Sequence, residues 1–318
     1  MPSGRDADSL ADRSAAIRTL RSTKPQVDVW QPHAWLIEEE RRANGQLEQA
    51  LTVFLAGAEC PFTCTFCDLW RWTTLGPTPP GALPKQLAIA LAADDVAAAP
   101  KDRLKLYNAS NFFDKRAVPI EDWVPLAQLA SPFSAVTVES HASTVGDATA
   151  SFAEMLDGRL EVAIGLETIH PDALPRLNKR LDLDRFDRAA DFLRAHDIDL
   201  RVFVLLGTPH VPVEETVDWT VRSVEYAATR GAAVVSIIPV RGGNGEMERL
   251  AAHADFTPPT LRQLESALDR TVSLMGTVVT ADTWDLEKHS ACSWCATARS
   301  DRLRRMNLTG HPEPSIAC

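Results

Sequence analysis

From Leu51 onward the chain alternates short, nearly continuous apolar runs with longer stretches in which apolar residues recur every three or four positions. The short runs predict six strands, over 51–56, 104–108, 135–139, 161–166, 200–206 and 234–239. Runs of this kind suit strands covered on both faces, as in a parallel sheet wrapped by helices. The longer stretches predict helices over 84–98, 120–129, 148–156, 183–195 and 213–229. In the fourth of these Phe186, Ala189, Ala190 and Leu193 form an apolar stripe, while Arg185, Arg188, Asp191 and Arg194 face solvent. Strand followed by helix, repeated with right-handed crossovers, curls a sheet, and six units are too few to close an eight-stranded barrel. The expected fold is therefore α/β, a partial (β/α)6 TIM-like barrel with its functional mouth at the C-terminal ends of the strands. It is expected to occupy residues 46–250. Residues 1–45 read as an N-terminal tail ending in a short helix that carries the charged run Glu38 to Arg42. Residues 251–318 read as a small C-terminal extension, with a helix over 258–274, a short strand over 277–280 and a polar, irregular end.

Composition narrows the function classes. At 45% hydrophobic and 24% charged residues the chain is an ordinary globular sequence. Its formal net charge of −10 repels polyanions, which disfavours nucleic acid as a partner. The longest apolar runs fall well short of the roughly 20 residues that a membrane span requires, so no membrane is expected either. The first residues lack the apolar core of a secretory signal, which points to the cytoplasm. In that reducing compartment clustered thiols hold metal more often than they form disulfides.

Two cysteine groups follow. Directly after the first predicted strand stands Gly57-Ala-Glu-Cys60-Pro-Phe-Thr-Cys64-Thr-Phe-Cys67-Asp-Leu-Trp70, a Cys-x3-Cys-x2-Cys array on a loop. Three thiolates can hold three irons of a 4Fe-4S cluster and leave the fourth open to a small molecule, whereas a pure electron carrier would ligate all four. A zinc site completed by a distant fourth ligand is the alternative. The other group is Cys292-Ser-Trp-Cys295 with Cys318 and the nearby His289, a candidate second site for an iron-sulfur cluster or zinc; a flexible tail with idle thiols is the plainer account.

The cysteine spacing, with Phe66 before the third cysteine, resembles the signature of the radical S-adenosylmethionine superfamily, and the resemblance runs over about residues 51–239. It implies that S-adenosylmethionine chelates the open iron through its methionine amino and carboxylate groups. The reduced cluster would then cleave the sulfonium to give a 5′-deoxyadenosyl radical that takes hydrogen from substrate. It also implies a flavodoxin- or ferredoxin-like electron donor. Carried over by motif, Asn108 and Ser110 after the second predicted strand would bind the methionine amino group. Glu139 would bind the ribose hydroxyls, Glu167 of Gly165-Leu-Glu-Thr would face the cofactor, and Lys179 of Asn178-Lys-Arg would neutralise its carboxylate; Ile238 would pack on the adenine. The plainer alternatives are a helix N-cap for Ser110, a solvated strand-end acid for Glu139 and a solvated lysine for Lys179. Leu69-Trp-Arg-Trp, Asn111-Phe-Phe-Asp, Gly-Leu-Glu-Thr and Asn-Lys-Arg are similar to an elongator-type and archaeosine synthase β-subunit-like branch. The chain departs from that branch at Pro239-Val-Arg-Gly-Gly-Asn-Gly-Glu246, a turn that could aim backbone N–H groups at an anion, with Arg241 and Asn244 as substrate contacts, or could be a plain turn into a helix. The expectation is an enzyme acting on a small-molecule substrate, with no catalytic side chain assigned. The alternatives are a tRNA-modifying carbon-nitrogen lyase and a non-enzymatic metal protein.

Overall fold

The computed structural model describes residues 10–42 and 44–317. Its strands form one sheet in sequence order: β1 (Ala34–Arg41), β2 (Leu47–Phe54), β3 (Arg103–Tyr107), β4 (Ala135–Ser140), β5 (Arg159–Glu167), β6 (Asp199–Leu206), β7 (Val234–Pro239) and β8 (Val278–Ala281). β2 to β8 are parallel neighbours, and β1 pairs antiparallel with β2. The sheet is strongly curled. Arg201 of β6 reaches Glu40 of β1 at 3.0 Å, whereas strands five places apart on a flat sheet would stand roughly 24 Å from each other. This is the expected partial TIM-like barrel, with β1 added before the six predicted strands and the short strand expected over 277–280 joining the sheet as β8.

Helices flank the sheet, most of them on its convex face. They are α1 (Leu10–Thr19), α2 (Ala82–Leu91), α3 (Asp94–Ala98), α4 (Trp123–Ala130), α5 (Asp147–Ala153), α6 (Ala173–Arg176), α7 (Leu183–Ala195), α8 (Thr216–Thr229), α9 (Glu246–Ala252), α10 (Leu261–Thr271) and α11 (Ser293–Thr309). Leu104 and Leu106, Val136 and Val138, Val162 and Ile164, and Val202 and Val204 are buried in one core with Leu83, Leu87, Leu126, Phe152, Phe186 and Leu264 from the helices. The residues between them on the same strands face the barrel interior, and several are charged. Arg103 bonds Glu48 at 2.5 Å and lies 3.3 Å from Glu161; Arg201 bonds Glu161 at 2.7 Å; Lys105 pairs with Glu38 and Glu40. Burial would raise the Glu40 carboxyl, but Arg201 and Lys105 hold it down at about 2. Strands that read as almost continuously apolar thus alternate, apolar outward and paired charge inward.

Three expectations are corrected. The run Glu38 to Arg42 was expected in a helix, yet Glu38 to Arg41 belong to β1. Glu38 and Glu40 meet Lys105, while Trp35 and Ile37 pack against the core, a spacing of two that suits a strand. The helix expected over 84–98 is split into α2 and α3 at Ala92 and Ala93. The supposedly irregular C-terminal residues form α11, whose Arg299 and Arg302 are buried because Glu265 and Asp269 of α10 pair with them. α11 fills the gap between the sheet edges. The Asn307 side chain both donates to and accepts from the backbone of Ala281 in β8, and its carbonyl accepts from Arg41 Nε of β1.

Candidate functional site

The cysteine loop leaves the end of β2 and is held from both sides by buried amides. Asn178 Nδ2 donates to Thr63 O at 2.7 Å and to Ser14 Oγ at 3.1 Å. Asn244 Nδ2 donates to Thr65 O at 2.7 Å and to Cys67 O at 3.3 Å, while its Oδ1 accepts from Met247 N. Asn244 was expected to contact substrate; with both amide atoms engaged by backbone it anchors the loop instead, outside the cavity lining. Asn178 adopts a left-handed backbone (φ 54°), which asparagine tolerates. The chain after α1 straps the outside of the loop: Arg21 and Lys24 bond Glu59 at 2.6 and 3.0 Å, and Lys24 reaches Thr73 at 2.7 Å.

Cys60, Cys64 and Cys67 are free, half-buried and line one cavity of 810 Å³. Burial pushes all three thiols up, Cys64 to about 12, with the Lys179 charge pulling the other way at Cys60 and Cys64. Asn111 Nδ2 donates to Cys60 Sγ at 3.5 Å. Among the described residues no three His, Cys, Asp or Glu side chains are grouped to share one metal ion. A cubane spreads its thiolates over different irons, so it does not require such a focus. The second cysteine group is not assembled by its described members. Cys295 is buried with its sulfur accepting from Arg299 Nε at 3.3 Å, His289 Nδ1 bonds Pro259 O, and Cys318 lies outside the described residues.

Lys179 Nζ stands 2.5 Å from Glu167 Oε1, near enough to Cys60 and Cys64 for its charge to act on both thiols, and both residues of the pair line the cavity. The pair depends on two backbone features. Glu167 sits at an irregularity in the β5 register with φ 68°, a left-handed conformation rarely adopted by glutamate. At Gly165 a Cβ would fall 2.0 Å from Glu167 Oε1 and 2.6 Å from Lys179 Nζ, so only glycine leaves room for the pair. His141 carries Lys179 from behind, its Nε2 lying 3.1 Å from Lys179 O; burial and the Lys179 charge push the imidazole down to about 3, so it is neutral.

Ser110 lines the cavity, and its Oγ is buried without a partner among the described residues. Asn108 is fully buried beside the cavity, and both atoms of its amide likewise lack partners among the described residues. Phe66 and Ile238 line the cavity and pack against Leu205, Val240 and Met247. Arg241 also lines it but is tied to Asp282 at 2.6 Å and to Trp284 O at 2.9 Å, pinning the segment after β8 beside the mouth. The expected residues other than Asn108, Asn244 and the second cysteine group therefore face one space. Sequence reasoning missed the anchoring role of Asn178, together with Tyr107, Lys105, Arg201 and Arg41 of the lining. The alternation Arg103-Leu-Lys-Leu-Tyr107 was the available signal.

Glu139 lines the cavity with burial pushing its carboxyl up to about 7 against the pull of Lys179. A carboxyl whose folded pKa is raised costs stability once pH exceeds its unfolded value near 4.5, and the cost levels off above about 7. Thermal melts of Glu139→Gln should match the unmodified protein at pH 4 and show a gain of about 3 kcal/mol at pH 8. A gain independent of pH would refute the assignment.

No protein-family model matches the chain, and no curated protein matches it in sequence. Solved structures do. A spore photoproduct lyase variant with dinucleoside spore photoproduct aligns over 89% of this chain and 88% of its own, at 12% identity and a TM-score of 0.53. A radical SAM methyltransferase from Sphaerobacter thermophilus aligns over 79% and 76%, at 14% identity and 0.51. Elp3 from the archaeon Methanocaldococcus infernus aligns over 70% of this chain, at 12% identity and 0.53, and the match spans only 59% of the Elp3 chain. At such identities the likeness is one of fold alone, a partial TIM-like barrel.

Proposed function

We propose that the protein is a radical S-adenosylmethionine enzyme acting on a small molecule. The observation that carries this reading is that the Cys60, Cys64 and Cys67 loop opens onto the same cavity as the Glu167–Lys179 pair and the orphaned Ser110 hydroxyl. The donor set fits the cofactors. Three thiols with no fourth protein ligand grouped with them among the described residues suit a 4Fe-4S cluster with one open iron. Ser110, Glu167 and Lys179 suit the amino and carboxylate groups of S-adenosylmethionine, Glu139 its ribose hydroxyls, and Phe66 and Ile238 the apolar faces of its adenosine. When bound, the two groups supply reductive homolysis of the sulfonium and hydrogen-atom abstraction from substrate.

The chain's own residues position the cysteine loop. Asn178 and Asn244 fix the loop by its backbone carbonyls, leaving the thiols free for metal. Arg21 and Lys24 strap its outer side. Lys179 places a positive charge beside Cys60 and Cys64, favouring the thiolates that iron requires. A cavity of 810 Å³ falls in the range of small-molecule sites. The net charge of −10 argues against nucleic acid. A flavodoxin- or ferredoxin-like donor would supply the electron.

The test is anaerobic reconstitution with iron and sulfide, followed by dithionite and S-adenosylmethionine. Formation of 5′-deoxyadenosine and methionine above a cluster-free control is expected. An intact cluster that yields neither would point to a non-enzymatic metal protein.

A further inference from the structure

The cations that line the cavity are paired, with one exception. Lys105, Lys179, Arg201, Arg241 and Arg304 each meet a carboxylate. Arg41 meets none among the described residues. Its Nε donates to Asn307 O at 3.3 Å, and its Nη2 is buried without a partner. Burial lowers its pKa with no nearby carboxylate to offset the effect. The guanidinium is also held in place. Gly310, just past α11, has φ 71°, and a Cβ there would fall 2.4 Å from Arg41 Cζ and Nη1, so the fork lies against bare backbone. A partly buried charge fixed in position but uncompensated costs stability unless something else brings the counter-charge.

We propose that Arg41 anchors an anionic group, a carboxylate or a phosphate, of the small molecule that occupies the cavity. This rests on the reading of that cavity as the substrate site. A guanidinium suits either group because its N–H donors form a planar fork. Arg41 ends β1, whose other end, Ala34, pairs with Phe54 at the root of the cysteine loop, so the anchor and the cysteines stand at opposite ends of that strand.

The experiment uses the full-length, cluster-reconstituted protein and titrates acetate, succinate and inorganic phosphate at constant ionic strength set with chloride, following the melting temperature. At least one probe should stabilise the protein saturably. The apparent dissociation constant should rise about tenfold or more in Arg41→Gln, the loss expected of a charge-assisted contact, and stay unchanged in Arg304→Gln. Preference among the three probes tells a carboxylate from a phosphate. The proposal is overturned if no probe saturates, if Arg41→Gln binds as the unmodified protein does, or if Arg304→Gln loses as much. Should Arg41→Gln not fold, Arg41→Lys keeps the charge without the fork, and undiminished binding there overturns the fork contact. Deoxyadenosine formation by the same unmodified preparation separates failure of this anchor from failure of the reading beneath it.

Discussion

Alanine at Cys60, Cys64 or Cys67 should abolish retention of iron and sulfide after anaerobic reconstitution, and deoxyadenosine formation with it. The three thiols are the ligand set that the loop offers, and Asn178 and Asn244 spend their amides on its backbone. A cubane losing one of three anchors keeps two on one short loop, which is too few to hold it against chelation. The loss should exceed the roughly 10–100-fold change that removing an outer-sphere partner causes. The fold should survive, since the thiols border a cavity and contribute little to the core. Far-ultraviolet circular dichroism should therefore be unchanged while the cluster absorbance disappears. The double variant Cys292→Ala/Cys295→Ala gives the contrast: iron at the first site should persist although the Arg299 contact of the buried Cys295 sulfur is removed. Iron lost equally in both experiments would mean that the two groups serve one site. Zinc found in place of iron and sulfide would refute the cluster.

Much of this site was legible in the sequence because its chemistry is local. Cys60 to Cys67 lie within one loop, so their spacing alone points to them, and Glu167 and Lys179 sit in adjacent short motifs that could be matched by resemblance. Long-range consequences were not legible. Asn244 sits in a glycine-rich turn that reads as a ligand-binding loop, and only the packing of α9 against the cysteine loop shows that its amide is consumed there. β1 was hidden because Glu38 and Glu40 have their partners 65 or more residues away, on β3 and β6. A charge run without visible partners reads as a solvated helix. α11 was hidden likewise: Arg299 and Arg302 suggest a surface, and their burial depends on carboxylates of α10. Arg41 is the reverse case. Its sequence neighbourhood is rich in acids, yet none of them reaches it.

Lys179→Met should be the most damaging change away from the cysteines, because it strikes stability and cofactor binding together. Glu167 would be left uncompensated on a backbone already held at φ 68°. Removing one partner of a buried pair typically costs about 3–5 kcal/mol. Burial opposes the Lys179 charge, but Glu167 outweighs it and raises the ammonium above its ordinary value. The stability from that shift is fully present below the unfolded lysine pKa and is lost only as pH climbs through the folded one. The pair is thus intact across the neutral range, and only substitution can remove it there. The double variant Glu167→Gln/Lys179→Met, with no charge left to strand, should recover most of the stability in urea melts. It should not recover affinity for S-adenosylmethionine, which needs the ammonium opposite a carboxylate and the carboxylate opposite an amino group. A loss of about tenfold or more is expected, or 1.4 kcal/mol, measured by equilibrium dialysis on reconstituted protein. Recovery of stability and affinity together would reduce the pair to a structural clasp. Recovery of neither would place the fault in the β5 bulge, where Gly165 and Glu167 already depend on each other's shape.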